Sequence, residues 1–124
     1  MSSGTHTTEQ NTARRFAIEA AQLISDRHCD DVVVLDVTGL SQVCDFVIVA
    51  TGTSDRQMKA VASELDDLAA EFGHKRFRSS SDSATTWIVV DFVDLVVHLF
   101  EPNQRDYYDL EALWSDAPRI EWKR

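Results

Sequence analysis

Two aspartates flank the dipeptide Phe92-Val93, in the stretch Trp87-Ile-Val-Val-Asp91-Phe92-Val93-Asp94-Leu-Val-Val-His98. Paired carboxylates are what a nucleotidyltransferase uses to hold Mg²⁺ and position a triphosphate, with Asp45 or Asp36 available here as a third ligand. The spacing argues against that chemistry. Two carboxylates aiming at one metal from one strand sit two residues apart, so that both point to the same face. Asp-x-x-Asp across a turn suits aspartates that hydrogen-bond their own backbone. Gly52-Thr53-Ser54 precedes a helical stretch and could cradle a phosphate, because helix N-termini bind anions. It lacks both Gly-x-x-x-x-Gly-Lys-Ser/Thr and Gly-x-Gly-x-x-Gly, and a structural helix start is the plainer reading. His98 has no Cys or Ser nucleophile near it in sequence. Stacking on Trp87, a buried hydrogen bond or a partner contact each suits it better than a general base. His28-Cys29 lacks the second half of a zinc site. No catalytic set, metal or cofactor is expected from these residues.

The totals bound the classes. A chain of 124 residues is the size of one domain and can bury a core. Its net charge of -9 and pI near 4.7 argue against sequence-independent binding of nucleic acid, which rests on Lys and Arg neutralising phosphates. An acidic surface suits basic protein partners, or serves only solubility. No apolar run approaches a membrane span, and residues 1–11 lack the apolar core of a signal peptide. Cys29 and Cys44 have no Cys-x-x-Cys spacing, which fits a reduced, cytoplasmic chain.

The elements that must position these residues follow from periodicity. Residues 1–11 are Ser, Thr and Gly-rich and read as a disordered tail, 12–118 as the domain, and 119–124 as a C-terminal tail on the surface. From Thr12 to about His28, Phe16, Ala20, Leu23 and Ile24 recur at helical spacing. Asp31–Val37 and Asp45–Thr51 are apolar, β-branched runs and predict strands. Ser54 and Gln57 have capping-box spacing at the start of a second helix, with Met58, Val61, Leu65, Leu68, Ala69 and Phe72 as its stripe and Gly73 as its stop. His74–Ser83 is basic and Ser-rich, a loop with a short edge strand. Pro102-Asn103 ends the last strand, and Asn103 can cap a final helix to about Trp114. The order predicts a single α/β domain, a mixed sheet with helices packed on it.

Thr85–Phe100 reads as a hairpin. If Asp91 pairs with Asp94, then Val90 faces Leu95, Val89 faces Val96, Ile88 faces Val97 and Trp87 faces His98. Alternation puts Ile88, Val90, Leu95, Val97 and Leu99 on a core face. Trp87, Val89, Val96, His98 and Phe100 share the other, mixed face with the two aspartates. Phe92-Val93 is a poor two-residue tip, because such tips need positive φ. The expectation is a strained or longer loop with Phe92 at an exposed tip.

Three motifs carry a family resemblance. Asp45-Phe46-Val47-Ile48-Val49-Ala50-Thr51-Gly52-Thr53-Ser54-x-Arg56-Gln57 resembles the Asp-Tyr-Phe-Val-Ile…Gly-Thr-Ser-x-Arg-Gln/His signature of the ribosomal silencing factor (iojap-like) family. Trp87-Ile-Val-Val-Asp91-x-x-Asp94-x-Val96-Val97-His98 is similar to that family's hairpin. Arg105-x-x-Tyr108-x-Leu110-Glu111-x-Leu113-Trp114 is similar to its C-terminal motif. The chain departs at Phe46, where the family often has Tyr, and at Val93, where many members have Gly. A Glu-Gly pair common before the Trp strand is absent here.

The resemblance implies a nucleotidyltransferase-like topology without the catalytic acids, and no enzymatic activity. It implies binding to ribosomal protein uL14 on the large subunit, a block to subunit joining, repression of translation when nutrients are short, and often a homodimer. Steric blocking needs an apolar anchor with a polar rim. Trp87, Phe92 and Val93 are the expected anchors, with Asp94 and His98 beside them. The competing readings are a nucleotide-binding enzyme of the nucleotidyltransferase type and an adaptor for some other partner. Neither sequence-specific nucleic acid nor membrane is an expected partner.

Overall fold

The computed structural model describes residues 8–74, 76, 78–81 and 86–124, without the side chains of residues 8–10, 107 and 108. Most of the expected tail 1–11 therefore lies outside the described residues. Its last four belong to the first helix, α1, which runs Thr8–Asp26. The strands are β1 (Asp30–Asp36), β2 (Phe46–Thr51), β3 (Arg78–Ser81), β4 (Trp87–Asp91) and β5 (Leu95–Phe100). They form one sheet in the order β1-β2-β5-β4-β3. The central β2–β5 pair is parallel and every other pair antiparallel, so the sheet is mixed.

β2, read as Phe-Val-Ile-Val-Ala-Thr, is buried at every position. Such a strand needs cover on both faces. On the first face, Phe46, Ile48 and Ala50 of β2 join Ile88, Val90, Leu95, Val97 and Leu99 beneath α1 and α2 (Asp55–Glu71). α1 presents Ala13, Ala17, Ala20 and Ala21 around Phe16 and Ile24, and these small residues let the helix lie close. α2 buries Met58, Val61, Ala62, Leu65 and Ala69. Ser54 caps it as expected, its Oγ accepting from Gln57 N–H at 3.1 Å. The return bond goes one residue earlier, from Thr53 N–H to Gln57 Oε1 at 2.8 Å. Gly52 is required by packing, since a Cβ there would lie 2.3 Å from Met58 Cγ. At the other end Gly73 takes φ +77°, and His74 N–H reaches Ala69 C=O at 2.8 Å, closing the helix in a Schellman turn.

The hairpin differs from expectation by two residues of register. Asp91 pairs with Val96, Val90 with Val97, Ile88 with Leu99 and Trp87 with Phe100. A shift of two leaves every side chain on its expected face. It changes the tip. Phe92 N–H donates to Leu95 C=O at 2.8 Å, so Phe92 is the last paired residue and only Val93-Asp94 form the loop. Phe92 is 1% exposed and packs edge-on against Phe16 at 5.3 Å. The expectation of an exposed Phe92 anchor is thus corrected, because alternation carries the ring under α1 with Ile88 and Val90. Val93 takes up the strain, with φ 76°, an outlier for a β-branched residue.

The last helix also differs. Pro102 sits at its first position with Glu101 before it, so Asn103 lies inside the helix and does not cap it. Asp109 at φ 44° breaks the helix into α3 (Pro102–Tyr108) and α4 (Leu110–Leu113). Leu110, Trp114 and Ala117 then pack on the second face, against Leu35, Val37, Val47, Val49, Val96 and Phe100. The segment expected as a tail, 119–124, is held against the outer edge of β1. Asp36 N–H donates to Pro118 C=O and Ile120 N–H to Val34 C=O, both at 2.9 Å. Trp122 Nε1–H donates to Val32 C=O at 3.0 Å, and Arg124 pairs with Asp26. An open edge would invite pairing with another chain, and this segment covers it. Among the described residues no helix is long and apolar enough to cross a membrane.

Two substitutions check this account of the tip. Phe92→Ala should destabilise the fold by about 3–5 kcal/mol, the usual loss for a buried aromatic ring. Val93→Gly should raise the melting temperature. Releasing a strained φ is worth about 1–3 kcal/mol, against about 0.4–1 kcal/mol of added chain entropy. Paired urea and thermal unfolding curves read both, and a Phe92→Ala protein with the parent's midpoint would contradict the burial.

Candidate functional site

The five residues expected to face a partner fall in three places. Phe92 goes to the core. Trp87 and His98 lie together on the second sheet face. Val93 and Asp94 lie at the hairpin tip, separated from Trp87 by the length of β4, about 13 Å at strand rise.

On the second face, Trp87 Nε1–H donates to His98 Nδ1 at 3.1 Å. An accepting Nδ1 leaves the ring proton on Nε2 of a neutral imidazole. Burial pushes the His98 pKa down to about 4, so it stays neutral near pH 7. Trp87 also stacks on Phe100, with centroids 5.0 Å apart. Both rings are half-buried or deeper, so His98 is a fixed acceptor that orients the indole. It is not poised as a general base, which needs a pKa near the working pH. Trp87 and Val89 pack against the same cluster as Leu110 and Trp114 and remain partly exposed.

At the tip, Asp91 caps the loop, its Oδ1 accepting from Val93 N–H at 2.7 Å. Asp94 serves through its backbone, its C=O taking the N–H groups of Asp45 at 3.1 Å and Phe46 at 3.0 Å. That staples the tip to the loop between β1 and β2. Burial, then the nearby charges of Asp94 and Asp36, raise the Asp45 carboxyl above its ordinary range. Among the described residues no three or more His, Cys, Asp or Glu side chains gather into a metal-holding group. Cys29 and Cys44 are both buried free thiols, each pushed up to about 11 by desolvation first.

Three backbone donors at the start of α2 are bonded within the fold. Gly52 N–H bonds Phe100 C=O at 2.7 Å, Thr53 N–H bonds Gln57 Oε1, and Gln57 N–H bonds Ser54 Oγ. A phosphate drawing on those three groups would have to displace those bonds.

Arg105 is the residue that sequence reasoning undervalued. Its side chain is buried and forks onto Glu111, Nε to Oε1 at 3.0 Å and Nη2 to Oε2 at 2.9 Å. Nη1 bonds Thr51 Oγ1 at 2.9 Å and the Asp31 carbonyl. Asp31 sits at φ 49° in a bulge of β1, which turns that carbonyl toward the guanidinium. A separation of six residues does not pair on a straight helix. The left-handed turn at Asp109 brings Glu111 back over Arg105. The available signal was Arg and Glu flanking an Asp that tolerates positive φ. This clamp walls a polar cleft of about 890 Å³, also lined by Cys29, Asp30, Arg119 and Trp122.

Fold and site define a single-domain α/β protein with a half-open aromatic face on a mixed sheet. Residues 10–124 match the family described as ribosomal silencing factor during starvation. Ribosomal silencing factor RsfS of Bacillus subtilis is 39% identical over 99 residues, spanning 80% of this chain and 84% of that protein. The RsfS of Chromobacterium violaceum is 40% identical over 101 residues, 82% of this chain and 80% of that one. The chloroplastic protein Iojap of Arabidopsis thaliana is 38% identical over 106 residues, 86% of this chain and 44% of that protein. A crystal structure of a Chromobacterium violaceum protein superposes with a TM-score of 0.73 at 35% identity, covering 92% of each chain. One from Bacillus halodurans gives 0.70 at 33%, covering 90% of this chain and 98% of that one. The chain belongs to the ribosomal silencing factor family. Its bacterial relatives are named for a regulatory role on ribosomes.

The Arg105 clamp has a measurable consequence. Arg105→Ala leaves Glu111 without its partner and should destabilise the fold by about 3–5 kcal/mol. Arg105→Lys keeps the charge but cannot form the fork, and should recover only part of that loss. Arg105, by hydrogen bond and then charge, holds the Glu111 carboxyl below its ordinary value of 4.5. Its contribution is therefore present above that pH and is lost as pH falls through the lowered value. Denaturant melts of parent and Glu111→Gln across the acid range should converge as pH falls. A difference that stays constant would remove Glu111 from this role.

Proposed function

We propose that this protein binds ribosomal protein uL14 on the large subunit in the cytoplasm, blocks joining of the small subunit and so represses translation, without enzymatic turnover. The observation that supports it most is the family match over nearly the whole described chain. The surface chemistry agrees with it. A blocker needs position and affinity, and the partly open Trp87–Val89 face supplies a rigid aromatic anchor whose indole is oriented by His98. Val93 and Asp94 are the other proposed contacts, and Phe92 leaves the set because it is core. With a net charge of -9, the chain would meet an RNA-rich particle through protein and not through phosphate. The alternative of a nucleotide-binding enzyme has less support, since Gly52 and Thr53 N–H in its candidate phosphate loop are already bonded within the fold. A homodimer is part of the same proposal, and sedimentation velocity on the purified chain reads it.

Added to separated ribosomal subunits, the protein should lower the joined-ribosome peak in a sucrose gradient in proportion to its occupancy of large subunits. Trp87→Ala should weaken that effect by about tenfold or more, the scale of an interface hot spot. Unchanged joining at saturating protein would sink the proposal.

A further inference from the structure

Four large apolar side chains stand out into solvent among the described residues, and three of them share one end of the sheet. Val43 is 74% exposed, Leu40 51% and Val93 51%. Leu40 and Val43 belong to the loop from β1 to β2, and Val93 to the hairpin tip. Both loops meet at the paired bonds from Asp45 and Phe46 N–H to Asp94 C=O. Val37 N–H closes the first loop onto Asp45 C=O at 2.9 Å, and Ser41 Oγ accepts from Val43 N–H at 3.0 Å. The three side chains are therefore presented by a stapled frame, which lowers the ordering loss of any docking event. Val93 is held out by a backbone conformation that disfavours it, an arrangement that persists where surroundings enforce it.

The same end of the sheet is acidic. Asp36 ends β1, Asp45 precedes β2 and Asp94 follows Val93, and they lie close enough together that Asp94 and Asp36 both act on the Asp45 carboxyl, which makes them the rim of the three aliphatic groups. Asp91 lies behind them, opposite Arg78 across the β3–β4 ladder. Such a rim repels RNA phosphate and anionic lipid, and it repels a second copy that would dock the same patch on itself. Aliphatic side chains inside a carboxylate rim suit a protein segment that brings Lys or Arg to the rim and an apolar residue between them.

We propose that Leu40, Val43 and Val93, rimmed by Asp36, Asp45 and Asp94, form a second docking element that takes a basic protein segment of the large subunit. It lies a strand's length from the Trp87 face, so the two together fix the orientation of the bound protein as well as its affinity. The proposal rests on the reading of the chain as a large-subunit binder.

Co-sedimentation of the purified full chain with purified large subunits, at low and high monovalent salt, tests it alongside a thermal melt of each variant. The Leu40→Ser, Val43→Ser double variant should keep its melting temperature and lose affinity by about tenfold or more. Asp94→Lys should weaken binding at low salt and flatten its salt dependence, because attraction to a basic segment is screened. If the double variant melts early, Asp94→Lys alone carries the decision. Parent-like affinity in the folded variants overturns the second element while leaving the large-subunit reading intact. Tighter binding by Asp94→Lys would mean an RNA neighbour and also overturns it. Failure of the parent chain to bind large subunits sinks both.

Discussion

The structure depends on one constraint, a central strand with no solvent-facing side. β2 is buried at each of its positions, so neither face of the sheet can be left to water. The first face is covered by two amphipathic helices, whose stripes are evident in their composition. The second has no such helix, and its cover is improvised from the 17 residues from Pro102 to Pro118 inclusive, broken at Asp109 and anchored by Leu110, Trp114 and Ala117. That cover is short. Trp87 and Val89 pack at its border and stay partly exposed.

A short, broken cover needs fastening, and Arg105 supplies it. The guanidinium ties α3 to α4 through Glu111, to β2 through Thr51 and to β1 through the Asp31 carbonyl. One side chain thus joins the C-terminal segment to two of the strands it covers. Burying an arginine is unfavourable unless its donors are satisfied, and here the carboxylate fork and two neutral acceptors satisfy them. The bulge at Asp31 and the left-handed turn at Asp109 are the two backbone distortions that make the arrangement possible. Both fall on Asp, one of the few residues that tolerate that region.

How far the sequence could be read follows from which rules carry parity and which need distances. Alternation assigned the faces of β4 and β5 correctly even though the pairing was off by two, because an even shift conserves parity. Carried one step further, the same alternation puts Phe92 beside Val90 in the core. Reading Phe92-Val93 as the tip, from the symmetry of the two aspartates, stopped it short. Helical stripes and the Ser54 and Gly73 signals were legible because each is local. The Arg105–Glu111 fork was not, since it needs a positive φ between its partners that no periodicity reveals. The role of residues 119–124 was hidden for a similar reason. Edge cover depends on which strand ends up outermost, a property of the whole sheet.

The charge distribution narrows what the open surfaces can meet. His98 stays neutral near pH 7, so the Trp87–His98 pair brings no charge of its own to its face. Its affinity should come from area and from a fixed indole, and should be nearly indifferent to salt. The hairpin end, with carboxylates around three aliphatic groups, is the reverse, because its attraction to a cationic partner is long-ranged and screened. A protein with only the first surface would bind without electrostatic guidance. One with only the second would be steered but held weakly. Placed at opposite ends of β4, they separate encounter from retention, and an acidic chain could then select a basic protein patch on a particle whose bulk surface repels it.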